Sequence, residues 1–159
     1  MVKGCRNKVM VLGVGNELLG DEGIGVHVVR ELAGQNFTFP VEIIEAGTVP
    51  DCWQREEPVS KLIVIDAVRG GGEPGAIYRF SPGDVEFETC LTTSIHQLSF
   101  VDSLKLSEIS GNKPEEIVII GVEPKKITWG TELSDELRSR ISDVVKTVLK
   151  EVTPDQETG

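Results

Sequence analysis

The 159-residue sequence lacks any long apolar run and contains few cysteines. The early apolar run Val9–Val14 has six residues, whereas a membrane-spanning helix needs ~20 and a signal-peptide core ~7–15. We therefore predict a cytoplasmic protein that does not insert into a membrane. The three cysteines, Cys5, Cys52 and Cys90, show no Cys-x-x-Cys spacing, which argues against a disulfide framework or a zinc knuckle.

Basic residues are also scarce, with 16 Lys and Arg against 26 Asp and Glu, which gives a net charge of −10. A field of that sign repels phosphate backbones, so nucleic acid is not expected as a partner. The hydrophobic fraction of 39% is sufficient for a core, and the length fits one domain. We predict a single α/β domain over residues 1–152, followed by a frayed polar tail over 153–159.

Short apolar runs alternate with segments of helical periodicity along the chain. Strands are predicted at 8–14, 41–45, 61–66, 76–80 and 116–122, the fourth of them near a sheet edge. Helices are predicted after the Gly20–Gly23 segment, at 51–57, at 94–109, and from the N-cap Ser134 to about Val152. This order predicts a three-layer α/β fold of the phosphorylase/hydrolase-like kind. Its sheet is mostly parallel and twisted, with about five strands and helices on both faces.

Polar side chains follow three of the predicted elements at the edge where such sheets bind ligands. Asp66 ends an apolar strand, where a charge is costly unless it is paired or bound to a cation. Glu22 lies in the loop after the first strand, and His96 opens a predicted helix. Two carboxylates and an imidazole suit a divalent metal ion with open coordination positions. Asp21 and Glu22 have the alternative role of complementing a helix dipole, and His27 is expected to be an ordinary residue of the first helix.

Other catalytic motifs are absent or incomplete. Gly13 and Gly15 follow a strand, and Glu45 could bind a ribose, but the third glycine of a dinucleotide fingerprint is replaced by Leu18. A Rossmann-like enzyme is therefore a minor alternative. The sequence has no P-loop, Gly-x-Ser-x-Gly elbow or His-Glu-x-x-His helix. A thiol hydrolase, with Cys52 or Cys90 meeting His96 in space, stays open.

Five segments together resemble the hydrogenase maturation endopeptidases. They are VMVLGVGNELLGDEGIGVHVVREL, Ala46-Gly47-Thr48, LIVIDAV, SIHQL and IVIIGVEP, in the order and approximate spacing of that family. The resemblance covers the chain from about Lys8 to Val152. Gly-x-Gly-Asn followed by Gly-Asp-Glu-Gly is its most specific part.

The resemblance implies a monomeric protease that removes a C-terminal extension from the large-subunit precursor of a nickel-iron hydrogenase after nickel insertion. The precursor supplies the nickel, and no organic cofactor is expected. The family's metal-contacting residues fall on Glu22, Asp66 and His96. Hydrolysis is expected to be aspartic-type or metal-assisted, with Asp66 or Glu22 as the base, and substrate contacts are expected from Asn16, Gly47 and Thr48. The alternative is a non-enzymatic module that escorts nickel without cutting a protein.

Overall fold

The computed structural model describes residues 8–38, 40–48, 59–81, 111 and 113–153. Among these residues a strand, a 3-10 turn and a helix are followed by four strands and then by two helices. The strands are β1 (Val9–Val14), β2 (Val41–Gly47), β3 (Lys61–Ala67), β4 (Ile77–Phe80) and β5 (Glu116–Val122). The helices are a 3-10 turn (Gly20–Gly23), α1 (Ile24–Leu32), α2 (Asp135–Arg138) and α3 (Ile141–Val152).

The five strands form one sheet in the order β2-β1-β3-β5-β4. β1 runs parallel to both β2 and β3, and β3 runs parallel to β5. β4 is the exception, because it lies at the edge and pairs with β5 in the antiparallel direction. This mostly parallel α/β sheet confirms the predicted fold class and the edge position of the fourth strand.

Apolar side chains are buried on both faces of the sheet. On one face, Val11, Ile63 and Ile120 join the inner sides of α1 and α3 in a single cluster. On the other face, Leu12 and Val64 belong to a second buried cluster. A strand that is covered on both faces needs a nearly continuous apolar sequence, which explains the short apolar runs of β1, β3 and β5.

Helix α1 packs against the sheet through main-chain contact. A Cβ atom added to Gly25 would lie 2.2 Å from the Ile65 carbonyl oxygen and 2.5 Å from that of Val14. A Cβ atom added to Gly13 would lie 2.3 Å from the Gly25 carbonyl oxygen. Only glycine permits such an approach, so these two positions fix the depth at which α1 sits on β1 and β3.

The sequence predicts one continuous helix after Ser134. This prediction is wrong in one respect, because the structure has two helices there, α2 and α3. Ser134 does cap the first piece, since its hydroxyl accepts a bond from the Leu137 amide at 3.4 Å. At the break, the Arg140 amide donates to the Leu137 carbonyl at 3.0 Å, an i to i−3 bond that tightens the chain. The two pieces are held differently, because Ser134 is bonded to Asp21, whereas α3 is held by buried Val144 and Val148.

Several predictions fall outside the described residues. These are the helices at 51–57 and 94–109, the three cysteines, His96, and most of the tail from 153. Within the described part of the chain, no helix is both long and apolar enough to cross a membrane.

Candidate functional site

Glu22 is carried by the 3-10 turn that joins β1 to α1. The turn folds back onto Gly15, which has φ +131° and whose added Cβ would lie 2.0 Å from the Glu22 carbonyl oxygen. The Glu22 amide closes the turn by donating to the Leu19 carbonyl at 3.4 Å. Gly15 therefore brings the main chain of Glu22 against the carboxyl end of β1.

Asp66 lies at the carboxyl end of β3 and is 3% exposed. Its Oδ1 accepts a hydrogen bond from the Ala67 amide at 2.8 Å. Burial raises the pKa of Asp66 well above its ordinary value, the Ala67 amide opposes this, and the negative charge of Glu22 raises the pKa further. The same oxygen lies 3.6 Å from the Cβ position of Gly15. Glu22 and Asp66 therefore flank Gly15 and act on each other electrostatically.

His96, the third predicted metal ligand, lies outside the described residues. Among residues 8–38, 40–48, 59–81, 111 and 113–153, no three His, Cys, Asp or Glu side chains form a group that could hold a metal ion. Of the predicted trio, the structure thus describes only Glu22 and Asp66.

The predicted substrate contacts Asn16, Gly47 and Thr48 lie together in one cavity of about 300 Å³. It sits beyond the carboxyl ends of β1 and β2, where the Gly15 amide donates to the Gly47 carbonyl at 2.8 Å. The Asn16 side chain accepts from the Leu18 amide at 2.9 Å, which holds the loop in a turn. The three residues predicted to contact a substrate therefore share one surface cavity.

Glu45 lines the same cavity but is engaged by an arginine. Its two carboxylate oxygens accept from Arg30 Nε at 3.0 Å and Nη2 at 3.4 Å, and Arg30 also pairs with Glu17 at 2.9 Å. The ribose-binding role that a dinucleotide enzyme would give Glu45 has no support in this geometry. Gly13 likewise serves helix packing.

The sequence allows Asp21 a helix-dipole role, but no side chain caps the 3-10 turn or α1. The Asp21 carboxylate is instead fully buried and accepts four hydrogen bonds from distant parts of the chain. The donors are the amides of Lys125, Lys126 and Ser134 and the Ser134 hydroxyl, at 2.7–3.0 Å. Burial acts to raise the pKa of Asp21, but these donors outweigh burial and lower it. Asp21 thus anchors the turn that carries Glu22.

His27 is partly buried in α1, as the sequence predicts. Its Nε2 has no hydrogen-bond partner among the described residues. Burial, and then the positive charge of Arg30, lower the pKa of His27. Nothing in its surroundings assigns it to the carboxylate pair.

Comparison with known proteins identifies similar chains over nearly the whole length. The family model of hydrogenase maturation proteases (HycI) matches residues 26–151. The hydrogenase expression/formation protein HoxM of Azotobacter vinelandii is 33% identical over 147 residues, which cover 89% of this chain and 70% of HoxM. The hydrogenase maturating endopeptidase HybD from E. coli superposes with a TM-score of 0.81 at 29% identity, covering 91% of each chain. The [NiFe] hydrogenase maturation protease HybD from Thermococcus kodakarensis gives 0.77 at 31% identity, covering 92% of this chain and 99% of that one.

Proposed function

The chain belongs to the hydrogenase maturation protease family and is a peptidase, and from that premise we propose that it trims the large-subunit precursor of a nickel-iron hydrogenase. In this proposal the enzyme removes a C-terminal extension after nickel has been inserted. It acts as a cytoplasmic monomer and takes its nickel from the precursor, with no organic cofactor.

The observation that carries the proposal is the juxtaposition of Glu22 and Asp66 at the carboxyl edge of the sheet. Asp66 is buried, and the charge of Glu22 contributes to its raised pKa. A buried carboxyl group beside a second negative charge is costly for the folded protein unless a cation or a proton joins it. Precursor-bound nickel is a cation that would relieve this repulsion, with His96 as the proposed third ligand.

Docking of the nickel would place the adjacent peptide bond beside the pair. A water molecule then attacks the carbonyl carbon, forming a C–O bond, while Glu22 or Asp66 accepts the water proton. The positive ion stabilises the oxyanion. The C–N bond breaks as the carboxyl group returns the proton to the leaving amine, so the carboxylate is regenerated. A precursor without nickel would dock poorly, so cleavage would depend on prior nickel insertion.

The substrate chain is proposed to lie along the cavity that contains Asn16, Gly47 and Thr48. Gly15 connects the cavity with the pair, because it lines the cavity and also borders Glu22 and Asp66. Gly47 has φ +56°, a conformation that favours glycine and leaves the surface there without a side chain. Main-chain contact with an extended polypeptide is therefore possible at this point.

The test is incubation of the purified chain with nickel-loaded and nickel-free precursor, followed by intact mass measurement. We expect loss of the C-terminal extension only from the nickel-loaded precursor. The variants Glu22→Gln, Asp66→Asn and His96→Ala should each reduce cleavage at least ~100-fold, because each removes a ligand or the base. An unchanged precursor mass, with nickel confirmed in the sample, would instead favour the escort function. Full cleavage by all three variants would overturn the site.

A further inference from the structure

Glu123 is a buried acid that the proposed chemistry does not use. It follows β5 directly and is 8% exposed. Its Oε2 accepts a hydrogen bond from the Gly70 amide at 2.6 Å and another from the Tyr78 hydroxyl at 3.2 Å. Burying a carboxylate is costly unless donors compensate it, so the role of Glu123 lies in the groups that it holds.

Those groups belong to the loop that begins just after Asp66. The Tyr78 hydroxyl accepts from the Gly72 amide at 3.0 Å and donates to Glu123, so the two side chains bind the loop at two amides. The Glu123 main chain adds a third and a fourth bond, accepting from the Gly75 amide at 2.8 Å and donating to the Ala76 carbonyl at 2.9 Å. Residues 70–76 are thus tied to one position at the end of β5.

The Tyr78 ring also explains the glycines of this loop. A Cβ atom added to Gly70 would lie 2.6 Å from Tyr78 Cζ, and one added to Gly72 would lie 2.5 Å from the Tyr78 hydroxyl oxygen. Gly71, between them, has φ +85°, which favours glycine. The loop can lie flat against Tyr78 only because these positions lack side chains.

The start of the loop is fixed as well. The Val68 amide donates to the Val122 carbonyl at 3.0 Å. The Val68 side chain occupies the space beside Gly121, where an added Cβ would lie 2.6 Å from Val68 Cγ2. Gly121 is also the register partner of Asp66 in the β3–β5 pair. The carboxyl end of β5 therefore holds both Asp66 and the chain that follows it, while residues 69–72 stay exposed.

We propose that Tyr78 and Glu123 are positioning residues that hold residues 69–72 as a fixed wall beside Asp66, and that this wall contacts the precursor polypeptide. The inference rests on the proposed function, because it takes the hydrogenase precursor as the substrate. A loop ordered before binding loses little conformational entropy when the substrate docks. Loosening the wall should therefore weaken docking and leave the bond-breaking step unchanged.

The first experiment is amide hydrogen exchange on the wild-type protein, with and without saturating nickel-loaded precursor. We expect added protection at residues 69–72 when the precursor binds, whether or not this protein cuts it. Unchanged exchange at these amides while the precursor is bound would overturn the wall. Failure of the wild-type protein to trim the precursor would instead count against the proposed function alone.

The second experiment compares Tyr78→Phe and Glu123→Gln with the control Arg79→Met, which alters β4 at a side chain paired with Glu151. Tyr78→Phe should speed exchange of the Gly70 and Gly72 amides and raise KM for nickel-loaded precursor ~5–30-fold, with kcat unchanged. Glu123→Gln keeps an acceptor oxygen, so its effect should be smaller. The control should keep the wild-type KM.

A wild-type KM in Tyr78→Phe, or a fall in kcat alone, would contradict the proposal. If Tyr78→Phe does not fold, the same two outcomes are read from Glu123→Gln.

Discussion

The pKa of Asp66 is higher in the folded protein than in the unfolded chain. Burial and the nearby Glu22 charge raise its pKa above the ordinary value of 3.8, so the folded protein binds a proton more tightly than the unfolded chain does. Stability from this group is greatest below pH 3.8 and falls as pH rises toward the folded pKa. The carboxyl group thus costs stability at neutral pH.

Asp66→Asn should therefore stabilise the metal-free protein at pH 7 while abolishing cleavage. The amide keeps an oxygen for the Ala67 amide at Oδ1 and carries no charge. We expect a higher Tm than that of the wild type at pH 7, by a difference that shrinks toward zero near pH 4. Thermal unfolding at several pH values measures this difference, and a destabilised variant at pH 7 would show that the Asp66 charge is compensated.

The pKa of Asp21 is shifted in the opposite direction to that of Asp66. Its four donors outweigh burial and lower its pKa below 3.8, so its contribution to stability is present above pH 3.8 and is lost as pH falls through the folded pKa. Asp21→Asn places an amide donor among N–H groups and should cost about 2–4 kcal/mol, or roughly 5–15 °C in Tm. Urea unfolding at pH 7 would measure the loss. Equal stability of the two proteins at pH 7 would contradict it.

At the level of elements, the main-chain contact of α1 with the sheet invites a direct test. Gly25→Ala should destabilise the protein by at least about 3 kcal/mol and reduce cleavage, because its Cβ would meet two carbonyl oxygens at 2.2 and 2.5 Å. The matched control is Gly34→Ala, whose Cβ would approach nothing nearer than the Glu31 carbonyl oxygen at 3.6 Å. That variant should change stability by less than about 1 kcal/mol. Similar Tm losses in the two variants would refute the packing argument.

The strands could be predicted from the sequence, but the division of the last helix could not. Nearly continuous apolar runs predict β1, β3 and β5, since a strand that is covered on both faces has few other sequences. β4 is predicted by its alternation of apolar and polar residues, which is typical of an edge strand. The break between α2 and α3 escapes prediction, because the apolar period continues through Ser139 and Arg140 without change. The two pieces have different partners, because Ser134 is bonded to Asp21, 113 residues away in sequence, and such a distant contact leaves no mark on the apolar period.

The same distinction holds for the candidate site. Asp66 could be predicted because a charge at the end of an apolar strand requires an explanation. The anchoring role of Asp21 and the loop-holding role of Glu123 could not be predicted, because most of their partners are main-chain amides, which every residue but proline carries. The resemblance to the maturation endopeptidases is confirmed by the family match, whereas the metal trio stays a prediction.

On the scale of the whole molecule, one group of ion pairs lies at the edge of the sheet opposite the candidate site. Glu151 of α3, with its side chain 14% exposed, pairs with Lys61 at 2.9 Å and with Arg79 at the edge away from Asp66. Arg79, and then Lys61, hold the pKa of Glu151 below its ordinary 4.5 against the effect of burial. This stabilisation is present above pH 4.5 and is lost as pH falls through the folded pKa.

Glu151→Gln should lower stability by about 1–2 kcal/mol, or roughly 2–8 °C in Tm, at pH 7. Its kcat/KM for nickel-loaded precursor should stay within about twofold of wild type below the melting range. Calorimetry and intact-mass kinetics on the same preparation provide the two measurements. A large loss of kcat/KM would mean that the two edges are coupled.

The backbone contacts around Gly13, Gly15 and Gly25 have an evolutionary consequence. Where a helix rests on a sheet through side chains, each exchange of a core residue changes the spacing between them. Here the spacing between α1 and the sheet is set by main-chain carbonyl oxygens, which every residue carries. Descendants of this chain can therefore exchange valine, leucine and isoleucine in the interior while the turn bearing Glu22 keeps its distance from Asp66, provided that the three glycines are inherited.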